Sequence, residues 1–114
     1  MEVIIYSEDE FKRQLKKLSK KYHSILDDYD RFLTDLENSP FQGSDLGNGV
    51  RKVRMAIASK RKGKSGGARV ITYNLQQIGE IIQIDLLTIY DKSEISNVSD
   101  DFIEYLLANR SNLK

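Results

Sequence analysis

At 114 residues, 39% of them hydrophobic, the chain has the length of one ordinary domain and can bury a core without a covalent staple. It has no cysteine and a single histidine, His23, which excludes disulfide frameworks, thiolate nucleophiles, cysteine zinc sites and multi-histidine metal clusters, so no metal or cofactor is expected. Eighteen basic side chains face seventeen acidic ones for a net charge of +1, and no stretch resembles a leader or is apolar enough to cross a bilayer; a soluble cytoplasmic protein, one domain over residues 1–114, is the expectation.

In chain order, Glu2 to Tyr6 is β-branched and aromatic and predicts a short strand. Ser7 with Glu10 three residues on has the form of a capping box, and Phe11, Leu15, Leu18 and Tyr22 recur at helical spacing beyond it. Lys12, Arg13, Lys16, Lys17, Lys20 and Lys21 fill the rest of that helix as a solvated face. A second helix is predicted from Ser24 through Ile25, Tyr29, Phe32, Leu33 and Leu36 to the exit Asn38-Ser39-Pro40, making an αα-hairpin with His23 at its junction. Its Asp27, Asp28, Asp30 and Asp35 are assigned to the helix dipole and solvent.

The segment FQGSDLGNG after Pro40 is read as turns, and Val50 to Ile57 alternates as a half-buried strand. A glycine- and lysine-rich loop, SKRKGKSGG, then leads to the strand-like ARVITYNL, a break near Gln76 to Glu80, and the apolar IIQIDLLTIY. Three consecutive strands imply an antiparallel meander. A helix opens near Ser99, with Asp100 and Asp101 in its first turn and Phe102, Ile103, Leu106 and Leu107 as its docking face. The predicted order βααβββα is an α+β domain, its helices packed against one side of a small, mainly antiparallel sheet.

Charge is distributed unevenly along this order. Between Asp45 and Glu80 there are eight basic residues and no acid, a local charge of +8, which leaves 10 basic against 17 acidic side chains, or −7, elsewhere. Such a separation presents a local field to a polyanion. Gly63-Lys64-Ser65 imitates the tail of a phosphate-binding loop but fails as one: position 58 is Ala58 instead of glycine, and Gly66-Gly67 lead into a strand rather than a helix.

The loop is instead read as a flexible basic arm beside a floor of Arg54 and Arg69 on adjacent strands, where a planar guanidinium can hold a phosphate in two places. Tyr90-Asp91-Lys92 ends the last strand, and antiparallel pairing brings Arg69 near Tyr90. A site of cations with one tyrosine suits RNA cleavage by the internal 2′-hydroxyl, which needs orientation, proton removal and stabilisation of phosphorane charge. Crowding lowers lysine pKa values and makes a lysine a conceivable base, while Tyr90 can stack on a base or take part in proton transfer. For Tyr90 and Tyr73 ordinary packing in the sheet is an equal alternative.

The run KGKSGGARVITY over residues 62–73, with VRKVRMAI before it and LLTIYDKSE after it, resembles the RelE/ParE superfamily of toxins from toxin-antitoxin pairs, in its HigB-like branch. The resemblance spans nearly the whole chain and implies a RelE-like fold. It also implies a ribosome-dependent, metal-independent endoribonuclease that cuts messenger RNA in the ribosomal A site and is neutralised by a cognate antitoxin carrying a helix-turn-helix DNA-binding domain. Arg54, Lys64, Arg69, Tyr90 and Lys92 match positions where relatives place catalytic groups; Lys52, Lys60, Arg61, Lys62 and Tyr73 are expected to contact RNA.

The chain departs from relatives in lacking a matching C-terminal tyrosine, since Tyr105 falls inside a predicted helix, and in having Lys92 and loop lysines where some carry histidines and an aspartate. Arg69→Ala is expected to abolish activity with the fold intact. The alternatives are a ParE-like gyrase inhibitor and a non-catalytic RNA- or ribosome-binding module.

Overall fold

Alternation builds the opening strand β1 (Glu2–Ser7): Val3 and Ile5 pack against the core while Ile4 and Tyr6 stay on the outer face. In the computed structural model, which describes residues 2–76 and 79–111, β1 runs on through Ser7 because it pairs in register with residues up to Leu86. The chain is therefore still extended at Glu8, which takes the N-cap position of α1 (Asp9–Lys21) in place of the expected Ser7. Ser7 instead hydrogen-bonds the Tyr29 hydroxyl at 2.9 Å, and Glu10 binds Arg13 and Gln14.

Helix α2 (Ile25–Asn38) follows after a three-residue turn and buries Ile25, Phe32 and Leu36. One expectation about its acids needs correcting. Asp28 is buried, accepting bonds from the Ser24 hydroxyl at 2.7 Å, from Arg31 at 2.8 Å and from the Ala58 backbone N–H at 3.1 and 3.2 Å. It ties α2 to the short 3-10 turn Ala58–Lys60.

A strand was hidden in the turn-rich segment: β2 (Ser44–Gly47) pairs antiparallel with β3 (Val50–Met55) at the sheet edge. All four β2 residues are exposed, so main-chain hydrogen bonds and not burial hold it, and no hydrophobic alternation announces it. The meander continues through β4 (Ala68–Gln76) and β5 (Ile81–Asp91), with residues 77–78 of the predicted break lying outside the described set. The sheet order is β1-β5-β4-β3-β2, parallel between β1 and β5 and antiparallel elsewhere. With α3 (Asp100–Ala108), capped by the Ser99 hydroxyl accepting the Phe102 N–H at 3.1 Å, this is an α+β fold with a mixed five-stranded sheet.

The helices do not share one side of that sheet. Phe11, Leu15, Ile25, Phe32 and Leu36 of the hairpin pack on Val53, Met55, Val70, Ile84 and Leu86, whereas Ile103 and Leu106 of α3 pack with Val50, Ile71, Leu87 and Tyr90 on the other face. Each such buried aliphatic side chain contributes about 1.5–3 kcal/mol. Among the described residues no helix is long and apolar enough to cross a membrane.

A bulge decides which face the end of β5 presents. Thr72 pairs with Leu86 but Ile71 with Thr88, so Leu87 is an extra residue in β5. Before it, Ile82, Ile84 and Leu86 face the helical hairpin; after it the parity inverts, Ile89 faces the hairpin and Tyr90 turns to the α3 side. The doubled leucine accommodates this, since Leu86 and Leu87 are both fully buried, one on each face.

Gly67 is required by close approach at the start of β4. A Cβ there would lie 2.3 Å from the Met55 carbonyl oxygen, 3.0 Å from Ile57 N and 3.1 Å from Ala56 Cα, all backbone atoms that cannot rotate away. Gly67→Ala is therefore expected to destabilise the fold by about 1–3 kcal/mol, as overpacking does. A urea midpoint equal to wild type would contradict this packing.

Candidate active site

The register places Arg54, Arg69 and Tyr90 side by side across three strands, Arg54 opposite Arg69 on β3–β4 and Arg69 opposite Tyr90 on β4–β5. Lys52 lies two residues from Arg54 on the same face. Lys92 follows β5 directly, its N–H donating to the Gly67 carbonyl at 3.2 Å. These five residues, with Ser44 and Ser96, line a cleft of about 340 Å³. Four cations and no carboxylate form its wall, a field suited to a phosphodiester.

Arg69 is more than a cation on a floor. It is only 6% exposed, and its guanidinium donates to the carbonyls of Lys64 at 3.1 Å, Ala68 at 3.1 Å and Ser65 at 3.1 Å. Two of these bonds pin the basic loop and the third holds the start of β4, so the loop is folded onto the arginine where a flexible arm was expected. Burial, then the neighbouring Arg54 charge, lowers the Arg69 pKa, while Tyr90 opposes the shift.

Tyr90 is 5% exposed and its hydroxyl is buried without a hydrogen-bond partner among the described residues. Burial raises its pKa and the Arg69 charge counteracts this, so at neutral pH the phenol keeps its proton and is a donor. An unpaired buried hydroxyl costs about 1–3 kcal/mol. Tyr90→Phe is accordingly expected to leave stability unchanged or raise it by about 1 kcal/mol. A drop of that size in chemical unfolding would mean the hydroxyl is satisfied in solution.

The remaining predicted residues do not gather in this cleft. The Lys64 ammonium lies 3.9 Å from Asp35 on α2 and lines adjoining hollows that share Arg54 but not Tyr90. Lys60 is turned inward, its side chain 7% exposed and its ammonium 2.7 Å from the fully buried Asp91 carboxylate. Arg61 and Lys62 are exposed on the loop. Tyr73 lies further along β4 under α3, with the Arg110 guanidinium 4.4 Å from its ring centre.

Asp91 is the contributor that sequence reasoning left without a role. Its carboxylate accepts from Lys60, from the Tyr22 hydroxyl, and from the N–H and hydroxyl of Ser93 at 2.9 and 2.7 Å. It joins the end of α1, the 3-10 turn and the segment after β5 from beneath the cleft. The signal was present: an acid between two residues of one strand face must point to the opposite, buried face, where it requires a cation. Ser44 was missed along with its strand, and Ser96 lies in an irregular segment.

Among the described residues there is no group of three or more histidine, aspartate or glutamate side chains placed to hold a metal ion. No protein-family model matches the chain.

Proposed function

We propose that this protein is a RelE-like toxin of the HigB-like branch, a ribosome-dependent endoribonuclease that cleaves translated messenger RNA in the cytoplasm and is neutralised by a cognate antitoxin with a helix-turn-helix DNA-binding domain. The observation that carries the reading is the carboxylate-free cleft lined by Lys52, Arg54, Arg69 and Lys92 together with Tyr90. Supporting it are the local charge of +8 in the residues that build the cleft wall and loop, and the α+β architecture that brings them together.

In this reading Arg54 and the two free N–H groups of Arg69 hold the scissile phosphate and stabilise the charge that grows on its non-bridging oxygens. The 2′-hydroxyl attacks phosphorus as the bond to O5′ breaks, giving a 2′,3′-cyclic phosphate and a 5′-hydroxyl. The 2′ proton leaves to a base and an equivalent proton reaches O5′, so no water is consumed. Lys92, which lines the cleft, is assigned proton transfer in preference to Lys64, which does not. Tyr90, holding its proton, donates to a phosphate oxygen or to O5′. Lys52 binds the flanking backbone.

The test is inducible expression followed by mapping of 5′ ends on transcripts, with translation running and with translation blocked. Cuts confined to translated codons and lost when translation stops support the proposal. Broken chromosomal DNA with intact transcripts would indicate the gyrase-inhibitor alternative, and salt-sensitive ribosome binding without cuts would indicate a binding module.

A further inference from the structure

A second cleft, of about 310 Å³, opens between the start of α1 and the end of α3 and shares no residue with the basic one. Glu8 lines it and is 6% exposed. One oxygen of its carboxylate accepts the backbone N–H and the hydroxyl of Ser111, each at 3.0 Å, while the other oxygen is buried with no hydrogen-bond partner among the described residues. Asp9 lies beside it on the rim, and among the described residues neither acid has an ion pair. The one guanidinium lining the cleft, that of Arg13, is already paired with Glu10.

A buried carboxylate with a spare oxygen calls for a donor, preferably a charged one. The rest of the cleft suits the stem of such a group, with Leu87 and Leu106 as apolar wall and the Tyr105 ring, 61% exposed, as a face over which a cation is attracted. From these observations we infer that this cleft receives an arginine or lysine side chain of a protein partner. A protein is favoured over a free amine by what surrounds the cleft. Tyr6, whose hydroxyl bonds the Ser111 hydroxyl at 2.7 Å, is 38% exposed, and Ile4 beside it on β1 is 42% exposed. A cationic anchor inside an aromatic and aliphatic rim is the composition of an interface centre.

The experiment is titration of the whole chain with agmatine and with the peptide acetyl-Leu-Arg-Leu-amide, followed by amide chemical shifts. Agmatine is expected to move the Leu87 and Ser111 amides, and the peptide to do so about tenfold more tightly through its flanking leucines. Acetyl-Leu-Glu-Leu-amide should not bind. Glu8→Gln should weaken both ligands about tenfold or more, and Tyr105→Ala, an exposed position safe for folding, should weaken the peptide severalfold. Three results would overturn the inference: no shifts at these amides, equal binding by the Tyr105 variant, or a peptide no tighter than agmatine. The last would mark a small-amine site.

Discussion

Asp91→Asn is expected to destabilise the fold by about 3–5 kcal/mol. The reason is what the change leaves behind. The Lys60 ammonium, with its side chain 7% exposed, would lose its carboxylate partner and remain buried beside the Tyr22 ring and the Ser93 hydroxyl. Burial alone would raise the Asp91 pKa, but the bonds from Lys60, Tyr22 and Ser93 outweigh it and hold the carboxyl well below its usual range. Because the folded-state pKa is depressed, this stabilisation is fully present above the unfolded aspartate value of about 3.9 and is lost as pH falls below it. The gap between wild type and Asp91→Asn in urea unfolding should therefore be full at pH 7 and narrow progressively below about pH 4. A gap independent of pH would show that the carboxylate charge is not what stabilises.

Arg54→Ala is expected to lower messenger cleavage about a hundred- to a thousandfold in a translation extract, the usual cost of removing one donor to developing oxyanion charge. Arg54 is exposed and makes no hydrogen bond or ion pair among the described residues, so its loss should leave the urea midpoint unchanged. Arg69→Ala should abolish cleavage too, but it also orphans the carbonyls of Lys64, Ser65 and Ala68 and should cost about 1–3 kcal/mol of stability. The fold-neutral outcome expected of Arg69 from sequence is thus transferred to Arg54. Tyr90→Phe completes the set, predicted to lose cleavage without losing stability. Wild-type cleavage by Arg54→Ala would remove the cation floor from the mechanism.

Elements with a strong period were legible in the chain itself. The faces of α1 and α2, the Ser99 cap of α3 and the strands β3, β4 and β5 follow from where apolar residues recur, because burying them is what forms those elements. So was the cross-strand neighbourhood of Arg54, Arg69 and Tyr90, since a meander pairs the start of one strand with the end of the next. Where pairing rather than burial holds the chain, as in β2, or where a side chain turns away from its loop, as with Lys60, no pattern announced it.

Sequence by itself determined which residues are helical or extended and that cations crowd one stretch, both being local properties of residue type and spacing. Only the tertiary structure decided which of those cations share a cleft. That choice rests on the extra residue at Leu87, which inverts the parity of β5 and sends Tyr90 to the arginine face and Asp91 to the core, and on the buried Asp91 drawing Lys60 inward. Both depend on what lies across the sheet, where the free energy of burial and charge pairing is settled between residues distant in the chain.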